Sequence, residues 1–329
     1  MKEKITLVLP VVILIASFFL GGYAHAKHKH APPWARTIKP IVSTDWLEKN
    51  LYRKNLVILD IRSADDYAVG HIPNSLNEPF IFPECAWITI RDGLFLEVPD
   101  EADLFSTIGS LGIKHDSKVV IVTAPNPGEP PFYGFANATR VALTLIYARV
   151  KKVAVLDGGY PKWVEDGLPI TEDVPEVKPV TCWGKVNEAM FVPIEYVEEN
   201  IGEVVILDAR DANVYFGVFI EPFADKYGHI PSARSLPAPW IWDINPDDGT
   251  YTYKDEGALS KMASRAICGP CGYKGYGGQE IIVYCGVGGY ASSWWFVLTE
   301  VLGYKKVKVY DGSAQEWVIY NEMVPDRCD

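Results

Sequence analysis

The residues best equipped for chemistry lie in one segment, Ile281-Ile282-Val283-Tyr284-Cys285-Gly286-Val287-Gly288-Gly289-Tyr290-Ala291-Ser292. There an apolar run meets a cysteine and then three glycines within four residues. A strand that ends in cysteine and turns through glycines into a helix aims several backbone N–H groups at one point near the helix N-terminus. Such donors stabilise a thiolate, so the spacing predicts a lowered thiol pKa for Cys285 and makes it the candidate nucleophile. The amides of Gly286, Val287, Gly288, Gly289, Tyr290 and Ala291 are then the candidate substrate-binding groups, able to cradle an anionic group held at the cysteine. A buried cysteine closing a strand is the plainer reading, but ordinary packing does not require glycines that cost chain entropy.

A second constellation, Cys268-Gly269-Pro270-Cys271, is a candidate redox pair. Redox pairs of this spacing usually follow a strand and open a helix. This one follows a helical pattern (258–266) and runs into a glycine-rich stretch, so a local disulfide and a pair that resolves sulfur on Cys285 are both open. No metal site is expected, because a single pair supplies only two of the usual four zinc ligands. His25, His28 and His30 read as a solvated terminus rather than a metal site. With Cys85, Cys182 and Cys328 the chain has six cysteines among 329 residues, too few for a disulfide scaffold.

The elements that must position these groups occur twice. Leu56-Val57-Ile58-Leu59-Asp60-Ile61-Arg62 is followed by Tyr67 and Gly70-His71-Ile72-Pro73. Val204-Val205-Ile206-Leu207-Asp208-Ala209-Arg210 is followed by Tyr215 and Gly228-His229-Ile230-Pro231. Each half closes on a further match, Asp157-Gly158-Gly159 with Trp163 and Asp311-Gly312-Ser313 with Trp317. Apolar runs such as 119–122 and 281–283 alternate with helical patterns such as 137–147 and 292–302, which predicts an α/β fold of parallel strands with helices on both faces. The acidic, proline-rich stretch from Pro169 to Pro179 has the composition of a linker. Domains are expected at 39–170 and 186–329, joined by a linker over 171–185.

In order and duplication these pieces resemble the tandem rhodanese-like sulfurtransferases, the family of the thiosulfate and 3-mercaptopyruvate sulfurtransferases. The resemblance implies two tandem rhodanese-like domains and no cofactor. It also implies a persulfide on Cys285 that carries sulfane sulfur from a small donor to a thiol or cyanide acceptor. It gives Asp208, Arg210 and His229, with their counterparts Asp60, Arg62 and His71, structural roles. In the first half the nucleophile position falls at Thr123 or Ala124, followed by the proline-rich Ala124-Pro125-Asn126-Pro127-Gly128-Glu129-Pro130-Pro131, so that domain is expected to be non-catalytic. Thiosulfate-transferring members have an arginine where this chain places Val214, and basic loop residues where it has Gly286, Val287 and Tyr290. A dianionic donor therefore lacks cationic partners here. Arg234 is a candidate substitute, with a solvated surface arginine as its plainer reading. Related phosphatases use a longer loop closed by arginine, whereas this one closes at Tyr290. The competing reading is a thiol-redox or oxyanion-handling protein in which Cys285 works with Cys268 and Cys271.

Net charge of −11 argues against a nucleic-acid partner, and 48% hydrophobic residues suffice for two full cores. Lys2 and Lys4 precede an apolar run to Leu20 and then Ala24-His25-Ala26, the pattern of an export signal cleaved after residue 26. The expected location is periplasmic or secreted, without a stable membrane span after cleavage.

Overall fold

The structure, a computed structural model, describes residues 38–126, 128–268 and 278–325. The first half contains β1 (Ile41–Val42), α1 (Thr44–Glu48), β2 (Leu56–Asp60), α2 (Ala64–Val69), β3 (Ser75–Asn77), β4 (Thr89–Arg91), β5 (Leu94–Glu97), α3 (Glu101–Ser110), β6 (Lys118–Val122), α4 (Phe132–Tyr147), β7 (Lys152–Leu156) and α5 (Gly159–Glu165). The second contains β8 (Phe191–Val192), α6 (Ile194–Glu199), β9 (Val205–Asp208), α7 (Ala212–Tyr215), β10 (Arg234–Ser235), β11 (Trp242–Ile244), β12 (Tyr251–Tyr253), α8 (Glu256–Cys268), β13 (Ile281–Tyr284), α9 (Gly289–Phe296), β14 (Val307–Tyr310) and α10 (Ser313–Tyr320).

Each half builds a five-stranded sheet, ordered β1-β7-β6-β2-β3 in the first and β8-β14-β13-β9-β10 in the second. Every pairing in both is parallel, with Ile58 opposite Val120 and Ile206 opposite Ile282. The sequence repeat is thus a repeat of topology, as expected, and it extends to the small antiparallel hairpins β4–β5 and β11–β12. Strands covered on both faces read as unbroken apolar runs. In the first half Leu59, Val119, Ile121 and Val153 face α3 and α4, while Ile58, Val120, Ala154 and Leu156 face Leu47 of α1 and Trp163 of α5.

Two helices depart from their expected limits. α4 begins at Phe132, ahead of the apolar periodicity, because Pro131 sits at its start, where a missing N–H costs nothing. The helix expected over 292–302 starts at Gly289 and passes into a π-helical turn over Val297–Val301. The linker has no long element of its own and lies along the first domain. Val180 N–H donates to Gly109 O at 2.9 Å. A Cβ at Gly109 would fall 2.5 Å from Val180 O, so the close approach requires glycine there.

The domains share one core. Helices α4 and α9 pack together, and a single apolar cluster runs from Leu104 and Val141 in the first half to Trp294, Phe296 and Val283 in the second. Phe132 stacks on Trp242 at 5.7 Å between ring centres. Buried polar bonds set the register. Thr139 Oγ1 bonds Ser292 Oγ at 3.1 Å and Ser293 Oγ at 2.8 Å, while Arg140 pairs with Asp311 at 2.5 and 3.1 Å. The closing aspartate of each half also reaches the other half's hairpin or the residue just after it. Asp157 accepts from Tyr253 N–H at 2.8 Å, and Asp311 from Val98 N–H at 3.2 Å.

Glu97 lies beside this pair with Oε1 buried and without a hydrogen-bond partner. Burial first, and the Asp311 carboxylate second, push its carboxyl up to about 8. A carboxyl whose folded pKa is raised binds protons more tightly in the native state. Its stabilising contribution is full below the unfolded value and is lost as pH rises through the folded one. Stability should therefore fall between about pH 4.5 and about pH 8, and Glu97→Gln should flatten that fall and raise stability at the alkaline end. Urea midpoints at intervals across this range would check it, and an unchanged slope in the variant would refute it.

Candidate active site

Cys285 emerges from β13 with 3% of its surface exposed. Gly288 N–H donates to its Sγ at 3.1 Å, and the Val287 and Ala291 amides also bond the sulfur. No such bond from Gly286, Gly289 or Tyr290 is among those described. The loop folds this way because Gly288 takes φ +92°, a conformation that side chains rarely adopt. Its absent Cβ would also fall 3.1 Å from both Arg140 Nη1 and Asp311 Oδ1. Behind the loop, Ala314 N–H donates to Cys285 O at 2.9 Å and Gln315 N–H to Gly286 O at 3.1 Å.

The expected lowering of the Cys285 pKa is not found. Burial pushes the thiol above its ordinary value. The Ala291, Val287 and Gly288 amides pull it down, and the Glu221 carboxylate pushes it up again. Glu221, with 14% of its side chain exposed, lies so close that a Cβ at Gly286 would fall 2.5 Å from its Oε2. Arg210 holds it at 3.0 Å.

Cys285 opens on a cavity of about 560 Å³ lined by both halves. Phe80, Phe82, Glu129 and Tyr133 come from the first, and Asp211, Val214, Phe219, Glu221, Phe223 and Tyr290 from the second. Gly286, Val287 and Gly289 also line it. Arg210 is the only cationic side chain among the described lining residues, and Asp208 chelates its Nε and Nη2 at 2.6 to 3.1 Å.

The Asp208–Arg210 pair and its double, Asp60–Arg62, make the same structural bonds. Each guanidinium donates to the glycine carbonyl of the following motif, Gly228 O at 2.7 Å and Gly70 O at 3.0 Å. His229 stacks on Tyr215 at 3.9 Å as His71 stacks on Tyr67 at 3.7 Å. The structural reading of these residues therefore holds, with one addition: Arg210 also positions Glu221. Thr123, not Ala124, takes the position of Cys285. It follows β6 directly, and its carbonyl accepts from Tyr160 N–H at 2.8 Å as that of Cys285 does from Ala314. Its hydroxyl is spent on Gly134 O at 2.8 Å.

Arg234 is exposed and donates to Ala266 O and Ile267 O at the end of α8, away from the cavity lining, so the surface reading holds for it. Of the candidate redox pair, Cys268 ends α8 and does not line the cavity, and Cys271 lies outside the described residues. Among the described residues no group of acidic, histidine or cysteine side chains has the arrangement of a metal site.

A profile of the Rhodanese-like domain matches residues 43–166 and 194–320. The chain belongs to the rhodanese family. It is 31% identical over 294 residues to a Synechococcus elongatus protein named "Putative thiosulfate sulfurtransferase", covering 87% of this chain and 86% of that one. It is 29% identical to the sulfur carrier protein TtuD of Thermus thermophilus, over 90% and 95% of the two chains. Among solved structures, the fold matches SseA of Escherichia coli, described as a 3-mercaptopyruvate sulfotransferase, with a TM-score of 0.66 at 24% identity over 84% of this chain and 99% of that one. It matches an anaerobic ergothioneine biosynthesis enzyme of Chlorobium limicola with a TM-score of 0.67 at 21% identity, over 87% and 71%.

Within this rhodanese, the sequence pointed to a cleft at the domain interface shaped by the first domain but singled out neither Glu221 and Asp211 nor the first-domain residues that line it. One signal was present: ten more residues separate tyrosine from Gly-His-Ile-Pro in the second half than in the first, and they carry Phe219, Glu221 and Phe223. Since the Glu221 carboxylate disfavours the thiolate, Glu221→Gln should move the pH profile of Cys285 alkylation by iodoacetamide to lower pH. A profile unmoved, or moved upward, would remove Glu221 from the electrostatics of the site.

Proposed function

We propose that this sulfurtransferase carries its sulfur as a persulfide on Cys285, taken from a small sulfane donor and passed to a thiophilic acceptor. The observation that carries this reading is the convergence of three loop amides on one buried sulfur at the wall of a cavity. In the first step the Cys285 thiolate attacks the sulfur to be transferred. The Sγ–S bond forms, the donor's bond to that sulfur breaks, and its electron pair leaves with the donor remnant. In the second, the acceptor attacks the outer sulfur and the Sγ–S pair returns to Sγ. The amides of Val287, Gly288 and Ala291 face negative sulfur in both steps and need no reorganisation between them.

The relatives' names put thiosulfate and 3-mercaptopyruvate among the donors to be tried, with cyanide or a small thiol as acceptor. Protein incubated with thiosulfate, 3-mercaptopyruvate or polysulfide should gain one sulfur atom by intact mass, removable by reductant or cyanide. Cys285→Ser should gain none. A sulfur load that persists in that variant would overturn the assignment.

The reading includes export. Lys2, Lys4, the apolar run and Ala24-His25-Ala26 support cleavage after Ala26. In a Gram-negative host the mature chain should start at Lys27 and fractionate with the periplasm. An intact N-terminus in the cytosol would count against it.

A further inference from the structure

The cavity around Cys285 is unusual for a site that handles anionic sulfur compounds. Glu129, Asp211 and Glu221 line it, and the one lining cation, Arg210, is already shared between Asp208 and Glu221. The charge that remains is negative before any sulfur is loaded, and a persulfide adds to it. Asp211 is not engaged in holding its own helix: it stands at the N-cap of α7, yet its side chain makes no capping bond. Glu129 is exposed, tethered through Asn126 Nδ2 at 2.8 Å to its Oε2. Six aromatic side chains also line it, Phe80, Phe82, Tyr133, Phe219, Phe223 and Tyr290, among smaller apolar and amide residues. Tyr133 and Tyr290 meet edge to face at 5.4 Å. Burial, then the carboxylates and Cys285, push both phenols above their ordinary values, so they stay neutral and present ring faces and hydroxyls rather than charge.

Aromatic faces ringed by carboxylates attract cations, above all weakly hydrated ones. A small low-dielectric cavity of one sign also concentrates opposite charge and repels like charge. We propose that the cavity selects a positively charged thiol acceptor, with its ammonium group set among the aromatic rings and carboxylates while its sulfur attacks the outer sulfur on Cys285. This rests on the persulfide reading above and adds the chemical class of the acceptor. The transfer balances without a further reactant. The acceptor thiolate forms a bond to the outer sulfur, the Sγ–S bond breaks with its electron pair on Sγ, and the acceptor leaves as a persulfide. Charge attraction brings the cation in, and aromatic rings beside it favour a weakly hydrated, alkylated ammonium.

The test begins with protein loaded by polysulfide, the loading verified by intact mass. Transfer is then followed with three thiols at matched thiolate concentrations: thiocholine, 2-mercaptoethanol and 3-mercaptopropionate. Thiocholine should be preferred over 2-mercaptoethanol by at least about tenfold in kcat/KM, and 3-mercaptopropionate should be the poorest. Added salt should slow the cationic thiol and speed the anionic one. In the double variant Asp211→Asn, Glu129→Gln, compared only for protein whose sulfur load is verified by intact mass, the ratio of thiocholine to 2-mercaptoethanol should fall at least about fivefold. Equal rates for the three thiols, a preference for 3-mercaptopropionate, or a ratio untouched by the double variant would overturn the inference while leaving the persulfide reading in place. Failure of Cys285 to load would overturn that reading and this inference with it.

Discussion

The buried pair of Arg140 with Asp311 is the contact on which the rest of the molecule depends. Both groups lie away from water, and although Arg140 Nε is buried without a partner, removing either side of such a pair alone costs roughly 3–5 kcal/mol. Arg140 comes from the helix at the centre of the first domain and also donates to Leu96 O on the first hairpin. Asp311 closes the last strand of the second domain and takes the Val98 amide from the segment after that hairpin. Gly288, whose amide holds the Cys285 sulfur, lies directly against both charged groups. One ion pair therefore fixes the two domains together, sets the hairpin that carries Leu96 to the cavity wall, and backs the loop that carries the nucleophile.

The two halves differ at the position of Cys285 and in what surrounds it. In the first domain Tyr160 lies on Arg62, its ring centre 3.5 Å from the guanidinium, and that arginine otherwise bonds its own aspartate and nearby carbonyls. The matching position in the second domain is Ala314, and there Arg210 turns Nη1 to Glu221 instead. Thr123 stands where Cys285 does, and the glycine turn after it is replaced by a proline-rich segment with fewer N–H groups to offer. The first domain has not become inert, because that same segment and α4 supply Glu129 and Tyr133 to the other half's cavity.

The fold was legible because its causes are local and periodic. Apolar runs such as Val119–Val122 could only be strands buried on both faces, and their recurrence with Asp-x-Arg and Gly-His-Ile-Pro marked two domains. Cys285 was legible for the same reason: the glycines after it answer a backbone demand that can be read without coordinates. The cavity was not legible in the same way. Phe80, Glu129 and Tyr133 lie far from Cys285 in sequence and reach it only through the packing of α4 on α9, a contact made between apolar faces that carry no label of their partner. The N-terminus of α4 was missed because the residues of its first turn do not share the periodicity of its buried face.

The acidity of Cys285 is where local reasoning gave the wrong sign: burial is the first cause, and the Glu221 carboxylate adds to it. Amide donors at a helix N-terminus favour a thiolate in isolation, and three of them reach this sulfur. Burial acts the other way, and the low dielectric that strengthens the amides strengthens the Glu221 carboxylate equally. Arg140, the arginine directly against the loop, is taken up by Asp311. Here Arg210 is one guanidinium serving two carboxylates, Asp208 by chelation and Glu221 by a single bond, so little positive potential is left to reach the sulfur. The deficit that adds to the rise of the Cys285 thiol above the effect of burial also leaves the cavity negative, so one carboxylate, Glu221, bears on both the sulfur and the charge of what can approach it.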